Sequence, residues 1–587
     1  YFWPSLVKLN TFVYCLATPI IKVSKGKTIH TFYNTTEYED WKKKNNFKNW
    51  NIKYYKGLGT SDSKEAKENF ENLEDEKLKL YTWESTGKYN DKLADSESSE
   101  DSKGNKRKST RSKKNNMEAT IEIDSDDETT DAIKLAFEKK RADDRKSWLL
   151  NYDADEVLNN SQKRVPIPEF IHKELKHFSN DDLNRSIPWL DGLKISTRKI
   201  LYSCFLRKLY TKKDELRVAQ LAGYVSDKTC YHHGEASLND AIVGMAQDFV
   251  GSNNINLLTP SGQFGTRLLG GKDKASPRYI HTYLEKLTRS IFRSDDDPIL
   301  EYINDDGILI EPKCYYPIIP MILVNGAEGI GTGFSTKIPS FNPDDLKFCL
   351  EKLVEDPDYE IPELTPWYRG FNGHIEKVEI NKWVSYGSYV ITDNAVKINE
   401  IPIGESIENY KQFLEKLESD DRIITFKNNS TDTKVSFEIK IKKETLDQWE
   451  YSGTLEKNLK LTSNINATNM YIFNEKGNLQ KMDSAEDILL SFYRIRNKYH
   501  ILRKEYLTEQ INKELIILES KVKFVRAIVN DELVVFKRKK QQITEDIKKM
   551  GLYENPNYDY LLNMPIHTFT EETIEKLEKE YLAKENE

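Results

Sequence analysis

The rhythm of hydrophobic positions changes several times along the chain. Over residues 1–83, short β-branched and aromatic runs, Ile20-Ile21-Lys22-Val23-Ser24 and Asn51-Ile52-Lys53-Tyr54-Tyr55, predict strands, and the polar segment Glu37 to Asn45 predicts a short helix, together an α/β layer. From about 86 to 131 apolar residues nearly vanish. That stretch has a basic half (Lys103, Lys106, Arg107, Lys108, Arg111, Lys113, Lys114) and an acidic half (Glu118, Glu122, Asp124, Asp126, Asp127, Glu128, Asp131). It cannot bury enough surface to offset its ordering entropy, so a disordered insertion is expected. A helical pattern resumes from Asp131 to Leu150, and helices separated by Gly, Asn and Pro turns fill Pro166 to Phe292. Residues 315–480 turn to strands: Ile318 to Val324, Ser388 to Ile391, and the alternating Thr433 to Ile439. Near the end Ile488, Phe492, Ile495, Tyr499, Leu502 and Tyr506 follow a 4-3-4-3-4 spacing, which Ile511, Leu515, Leu518, Val522 and Val525 repeat after a phase slip. A long helical arm follows, and Thr570 to Glu587 reads as the returning strand of an antiparallel pair that stops before completion.

Composition narrows the picture. A chain of 587 residues allows about four domains at roughly 150 residues each. With 38% hydrophobic and 31% charged residues it has core material for several of them under a highly charged exterior. No apolar run reaches the ~20 residues of a membrane-spanning helix; Leu6 to Ile21 and Tyr315 to Val324 are short and interrupted by Lys, Asn or Pro. Cys15, Cys204, Cys230, Cys314 and Cys349 lie at long irregular spacings, the usage expected of a reducing, intracellular compartment. The net charge of −7 means that any nucleic acid would have to meet a local basic surface. The apolar opening Tyr1-Phe2-Trp3-Pro4, without an initiator Met, reads as the start of a fragment.

Candidate chemistry concentrates between residues 230 and 282. Cys230-Tyr231-His232-His233 suggests zinc to the eye, but a structural zinc needs four ligands and no second pair stands at matching spacing, so no metal is assigned. Lys272, Lys274 and Arg278 surround Tyr279, a pattern that residues alone leave open between a phosphate-binding pocket and a solvated loop. A phenol titrating near 10 is a poor nucleophile at neutral pH. A tyrosine that attacks phosphorus therefore needs a cation to stabilise the developing charge, and the planar fork of an adjacent arginine suits phosphate oxygens.

Motifs spread along the chain resolve that ambiguity. Tyr54-Tyr55-Lys56-Gly57-Leu58-Gly59-Thr60-Ser61, Arg185-Ser186-Ile187-Pro188 with Asp191-Gly192-Leu193-Lys194, Val218-Ala219-Gln220-Leu221-Ala222-Gly223, Tyr231-His232-His233-Gly234-Glu235, Ser276-Pro277-Arg278-Tyr279-Ile280 and Asn325-Gly326-Ala327-Glu328-Gly329-Ile330-Gly331-Thr332-Gly333 occur in this order. In that order they resemble the DNA breakage-reunion core of eukaryotic-type DNA topoisomerase II, a type IIA enzyme. The resemblance implies that Tyr279 is the nucleophile of a 5′-phosphotyrosyl link, that Arg278 stabilises the transition state, and that His233 hydrogen-bonds near the scissile phosphate. It further implies that Lys56 lies near the cleavage site and that Lys194, Arg198 and Lys199 contact backbone phosphates. Gln263, Arg267, Lys272 and Lys274 would share the DNA-facing surface, and Ile330 would wedge between base pairs. Glycines around Ile330 lack the spacing of a nucleotide-binding loop and are expected to let a tight loop approach DNA. Where the family has tryptophan after this run, the chain has Phe334.

The implied architecture is multidomain α/β and α+β: the C-terminal part of a Toprim domain (1–160), a winged-helix DNA-binding domain (161–315), a tower α/β domain (316–482), and an antiparallel coiled-coil arm with a C-terminal dimer gate (483–587). A homodimer acting on double-stranded DNA is expected, in the nucleus or in a viral or cytoplasmic setting, with the basic part of the insertion read either as an import patch or as a solvated loop. Magnesium is expected as a cofactor whose ligands lie mostly outside this chain, because the family's Glu-Gly-Asp motif and alternating Toprim aspartates do not occur in it. ATP would be bound by domains this chain lacks. Asp295, Asp296 and Asp297 read as a polar turn. The rival reading is an architectural dimer that bends DNA without chemistry. A tyrosine recombinase would leave the heptad arm unexplained.

Overall fold

The computed structural model describes residues 2–9, 12–45, 49–55, 61–71, 73, 77–83, 125–160, 162–231, 233–305, 308–393 and 395–587. Lys56, His232 and residues 84–124 of the charged insertion lie outside the described residues. The chain divides into two compact units: Tyr1–Pro188 with Glu328–Lys337 and Asn469–Lys481, and Trp189–Ala327 with Ile338–Thr468 and Met482–Glu587.

In the first unit, strands Ile21–Lys25, Thr28–Phe32 and Asn51–Tyr54 form an antiparallel sheet with Ile21–Lys25 central. Its inward residues Ile21, Val23 and Phe32 pack with Tyr38, Trp41 and Trp50. Tyr38 and Trp41 come from the helix Thr35–Lys44, whose first turn is closed when the Asn34 side chain accepts from the Glu37 N–H. A second sheet joins Tyr14–Leu16, Leu78–Thr82 and Arg164–Pro166, the last pair parallel. Helix Ser125–Phe137 begins inside the stretch that composition marks for disorder. Thr129, Ala132, Ile133 and Leu135 are buried along it; the apolar stripe extends the helix back into acidic residues, which suit its N-terminal dipole.

The second unit begins with helices Ile195–Arg207, Val218–Lys228 and Glu235–Ala246. Their buried Leu201, Leu221, Val225, Leu238 and Ile242 lie beside a small antiparallel sheet ordered Leu216–Arg217, His281–Leu284, Leu258–Ser261. Residues 318–324 are not a strand: Met321–Val324 is one helical turn, fully buried. Its apolar residues have no solvent face to alternate with, and the turn packs so tightly on Gly192 that a Cβ there would meet Ile322 N at 2.6 Å. Further on, a four-stranded antiparallel sheet (Ser388–Thr392, Ala395–Glu400, Phe437–Lys440, Thr425–Asn428) is covered by helix Ile407–Ser419. Val396, Ile398, Phe437 and Ile439 from the sheet pack with Tyr410 and Leu414 of the helix. The strand expected from Thr433 starts at Phe437, since the Thr431 N–H donates to the Lys434 carbonyl in a turn.

Helix Ala485–Val529 runs 45 residues, capped by Ser484. The expected seam is buried only at its ends, at Ile488 and Phe492 and again at Val522 and Val525; Ile495 to Leu518 are half-buried. Near the far end it runs antiparallel to Glu571–Glu585, with ion pairs Arg526–Glu578 and Lys584–Glu514. Phe524, Leu533, Ile547 and Leu561 make a terminal core. At the near end Asp296, expected in a polar turn, is 3% exposed and receives Arg496 at 2.7 Å and Arg503 at 3.2 Å. Arg496 also donates to the Tyr316 carbonyl, and Tyr316 stacks on Tyr499. Burial, with the neighbouring Arg496 and Arg503 cations, holds the His500 imidazole down at about 4.

Asp296→Asn should leave Arg496 buried without its counter-charge and cost about 3–5 kcal/mol, seen by calorimetry as a lowered unfolding transition. Because His500 stays neutral in the fold until about pH 4 while an unfolded imidazole takes its proton near 6.5, the unfolded chain binds more protons between these values. Stability should therefore be complete above about pH 6.5 and fall towards pH 4. His500→Gln should flatten that part of the profile in pH-dependent denaturant titrations.

Candidate functional site

The glycine-rich segment 262–271 and the following segment 272–280 fold onto each other. A Cβ on Gly262 (φ +116) would meet Ile280 Cγ2 at 2.9 Å, and one on Gly265 (φ +98) would meet the Gly271 carbonyl oxygen at 2.5 Å. Thr266 binds the Asp273 carboxylate through both its N–H and its hydroxyl. Gln247 donates to the Phe264 carbonyl at 2.9 Å, and the Ala275 N–H to the Gln263 carbonyl at 2.9 Å. The turn that follows is tied to the start of helix Val218–Lys228: the Ala219 N–H donates to Pro277 O and the Val218 N–H to Ile280 O. Those donors belong to the helix N-terminus and have no partner within the helix.

The anchored turn presents Arg278 and Tyr279 outward. Tyr279 is 76% exposed, whereas Ile280 beside it is buried. Lys272, Gln263 and Arg278 are exposed on the same loop pair, and among the described residues their side chains have no hydrogen bond or ion pair. Lys274 is paired with Asp240. The loop pair thus offers a phenol, an amide, an arginine and a lysine to solvent on a backbone that its own hydrogen bonds make rigid. His233 is exposed at the loop joining helices Val218–Lys228 and Glu235–Ala246, its ring edge-on to Tyr231 at 5.2 Å.

Arg198 and Lys199, expected to contact phosphates, and Arg267, expected on the DNA-facing surface, are buried. Arg198, at 2% exposure, forms a fork on Asp191, with Nε 2.9 Å from Oδ2 and Nη2 3.0 Å from Oδ1. Asp191 also accepts the Leu193 and Tyr315 N–H groups. Lys199 is buried, 2.7 Å from Glu311 and 2.6 Å from the Thr229 carbonyl. Arg267 is buried against Glu400 and donates to the Ile401 carbonyl. A desolvated cation keeps its charge only beside a carboxylate, and these cations are engaged inside the protein. The partners Asp191, Glu311 and Glu400 escaped sequence reasoning; only the Asp191-to-Arg198 spacing across a helix start offered a signal. Lys194 is half-buried at the start of helix Ile195–Arg207, its N–H bound to Thr197 Oγ1.

In the first unit, Ile330 is 78% exposed on the hairpin of strands Ala327–Gly331 and Phe334–Ile338. A Cβ on Gly329 would meet the Ser186 carbonyl oxygen at 2.1 Å and one on Gly331 the Leu183 side chain at 2.9 Å. The glycines therefore let the hairpin lie against helix Lys176–Ser186, a packing role where an approach to DNA was expected. Asp182 fixes the tip by accepting from Thr332 N at 2.8 Å and Oγ1 at 2.9 Å. Phe334 is buried edge-on to Tyr471.

Among the described residues no three His, Cys, Asp or Glu side chains converge to hold a metal ion. Among the described residues no helix is long and apolar enough to cross a membrane.

Residues 185–587 match the family model of the DNA gyrase/topoisomerase IV A subunit. Residues 16–125 and 101–183 match the C-terminal associated domain of TOPRIM, over the region expected to end a Toprim domain. The chain belongs to the type IIA topoisomerases, the family of DNA gyrase, topoisomerase IV and eukaryotic DNA topoisomerase II. It is 39% identical over 675 residues to DNA topoisomerase 2 of Acanthamoeba polyphaga mimivirus, covering 100% of this chain and 53% of the relative. It is 38% identical over 645 residues to DNA topoisomerase 2 of Saccharomyces cerevisiae, covering 100% of this chain and 42% of the relative. The chain thus spans about half the length of these relatives or less. A crystal structure of the Plasmodium falciparum topoisomerase II DNA-binding, cleavage and re-ligation domain superposes with a TM-score of 0.79 at 38% identity, covering 100% of this chain and 78% of that one.

Gly329→Ala should force the hairpin off helix Lys176–Ser186 and open 327–338 to limited proteolysis. Ile330→Ala, at an exposed position, should change the unfolding midpoint by less than about 0.5 kcal/mol.

Proposed function

We propose that this chain is the DNA-gate part of a type II topoisomerase, in which Tyr279 breaks and rejoins a DNA strand. The observation that carries the reading is the exposed Arg278-Tyr279 pair on a turn fastened by its backbone to a helix N-terminus, in a chain of this family. The Tyr279 phenol loses its proton and its oxygen attacks phosphorus. The bond from phosphorus to the 3′ oxygen breaks, that oxygen takes up a proton, and the 5′ phosphate remains on tyrosine. One phosphodiester is exchanged for another, so reversal needs no outside energy. Arg278 lies next in sequence to the attacking residue, where its guanidinium can take up charge building on the phosphate oxygens. His233 offers a hydrogen bond to the same phosphate. Lys272, Gln263 and Lys194 position the duplex through its backbone without reading sequence, which fits a protein of net negative charge with a local cationic surface.

In this reading Ile330 enters a base step and kinks the duplex, the action of an apolar wedge; its exposure on a hairpin clamped by Asp182 supports the role. The small sheet with helices Ile195–Arg207, Val218–Lys228 and Glu235–Ala246 is assigned as the winged-helix domain, the sheet covered by Ile407–Ser419 as the tower, and Ala485–Val529 with Glu571–Glu585 as the coiled-coil arm. Two copies of the chain would cut the two strands, acting as a homodimer in the nucleus, with passage of a second duplex driven by ATP on domains other than those described here. Magnesium would reach the scissile phosphate on residues other than the described ones. A catalytically incomplete gate is the second reading, favoured by the lack of a metal-binding cluster among the described residues.

Tyr279→Phe should abolish the detergent-trapped covalent DNA complex in the presence of Mg2+ while changing duplex affinity less than about twofold, since a phosphate-dominated interface does not depend on one hydroxyl. A covalent complex persisting in Tyr279→Phe would refute the assignment.

A further inference from the structure

The buried cation Lys199 is placed where it can govern His233. Helix Val218–Lys228 ends at Thr229, followed by Cys230 in the left-handed region (φ +49). The Tyr231 N–H closes back onto the Ser226 carbonyl, and the Ser226 hydroxyl donates to the Tyr231 carbonyl at 3.1 Å. This is the helix ending that glycine normally supplies, built here on a residue that does not favour it. Lys199 Nζ, on helix Ile195–Arg207, reaches this strained turn from outside and donates to the Thr229 carbonyl at 2.6 Å. Glu311, from strand Ile308–Pro312, fixes that ammonium at 2.7 Å. The other Glu311 oxygen is buried with no hydrogen-bond partner among the described residues, a cost that native structures seldom carry. His233 lies four residues beyond the latched carbonyl, with its ring against Tyr231.

We propose that Lys199 and Glu311 are positioning residues for strand cleavage: they hold the Thr229 carbonyl, and through the Cys230 turn they aim His233 at the scissile phosphate. The inference rests on the proposed reading in which His233 serves Tyr279. Lys199 acts without touching DNA, in contrast with the exposed cations of the loop pair.

The test replaces both charges, Lys199→Met with Glu311→Met, so that no lone carboxylate stays buried and the fold keeps its volume; a buried pair exchanged for apolar residues is often neutral for stability. Cleavage of a radiolabelled duplex with Mg2+ is timed for the full chain, the double variant, His233→Ala, the triple variant and Tyr279→Phe, with hydrogen exchange measured on peptides covering 225–240. The double variant should unfold at the temperature of the parent and bind DNA as tightly. It should cleave about tenfold more slowly and lose protection at 229–233. In the His233→Ala background the same two changes should slow cleavage less than about twofold, because coupled residues are non-additive. Lys199→Arg, which spans the same oxygens, should retain most of the rate. Equal slowing in both backgrounds, or unchanged exchange at 229–233, would overturn the proposal. Adduct formation by Tyr279→Phe would instead overturn the reading of Tyr279, and absence of adduct from the parent chain would leave the exchange result to decide the latch.

Discussion

A cation taken out of water must be met by a carboxylate, and this constraint organises the part of the chain that carries the candidate site. Asp191 accepts from both nitrogens of the buried Arg198 fork and from the backbone of Leu193 and Tyr315, so one carboxylate joins a helix start, a tight turn and a segment more than a hundred residues away. Glu400 accepts from Arg267, tying the loop that leads to Tyr279 to the end of the interior strand Ala395–Glu400 of the four-stranded sheet. Asp296 gathers Arg496 and Arg503 from the long helix. Removing one member of such a pair strands a buried charge, so each junction is firm in a way that surface ion pairs are not.

Against that buried framework the exposed groups stand out by contrast. Arg278, Lys272 and Tyr279 sit on a loop whose backbone is tied at several points, while among the described residues their side chains have no hydrogen bond or ion pair. Holding reactive side chains on rigid backbone lowers the entropy lost when a ligand arrives, the effect that orientation contributes to catalysis. Ile330 follows the same logic in the other unit, where glycines bring the hairpin onto a helix and leave one large apolar side chain in solvent.

Much of this was legible in the sequence where periodicity speaks. The strands near Ile21 and Asn51, the helix near Glu37 and the long helix from Ala485 form where their patterns predict them, although the seam of the long helix is buried only at its ends. Met321–Val324 misled because a turn buried on every side has no periodicity. The basic residues misled for a different reason. Arg198, Lys199 and Arg267 are, as letters, indistinguishable from Lys272 and Arg278; what separates them is a carboxylate supplied from 7, 112 and 133 positions away, and single-chain patterns do not reveal such pairings. The short motif around Tyr279 was informative because its residue types already state a chemistry, a nucleophile beside a cation.

The central claim is that Tyr279 carries the covalent link to DNA. The direct measurement is tandem mass spectrometry of a trapped, nuclease-treated and trypsin-digested complex. Cleavage after Arg278 and Lys286 releases the peptide 279–286, which holds both Tyr279 and Tyr283. The account predicts a nucleotide phosphate on Tyr279, linked through its 5′ position, with Tyr283 unmodified. A nucleotide on Tyr283, on another residue, or on no peptide of a complex that is demonstrably covalent would contradict it.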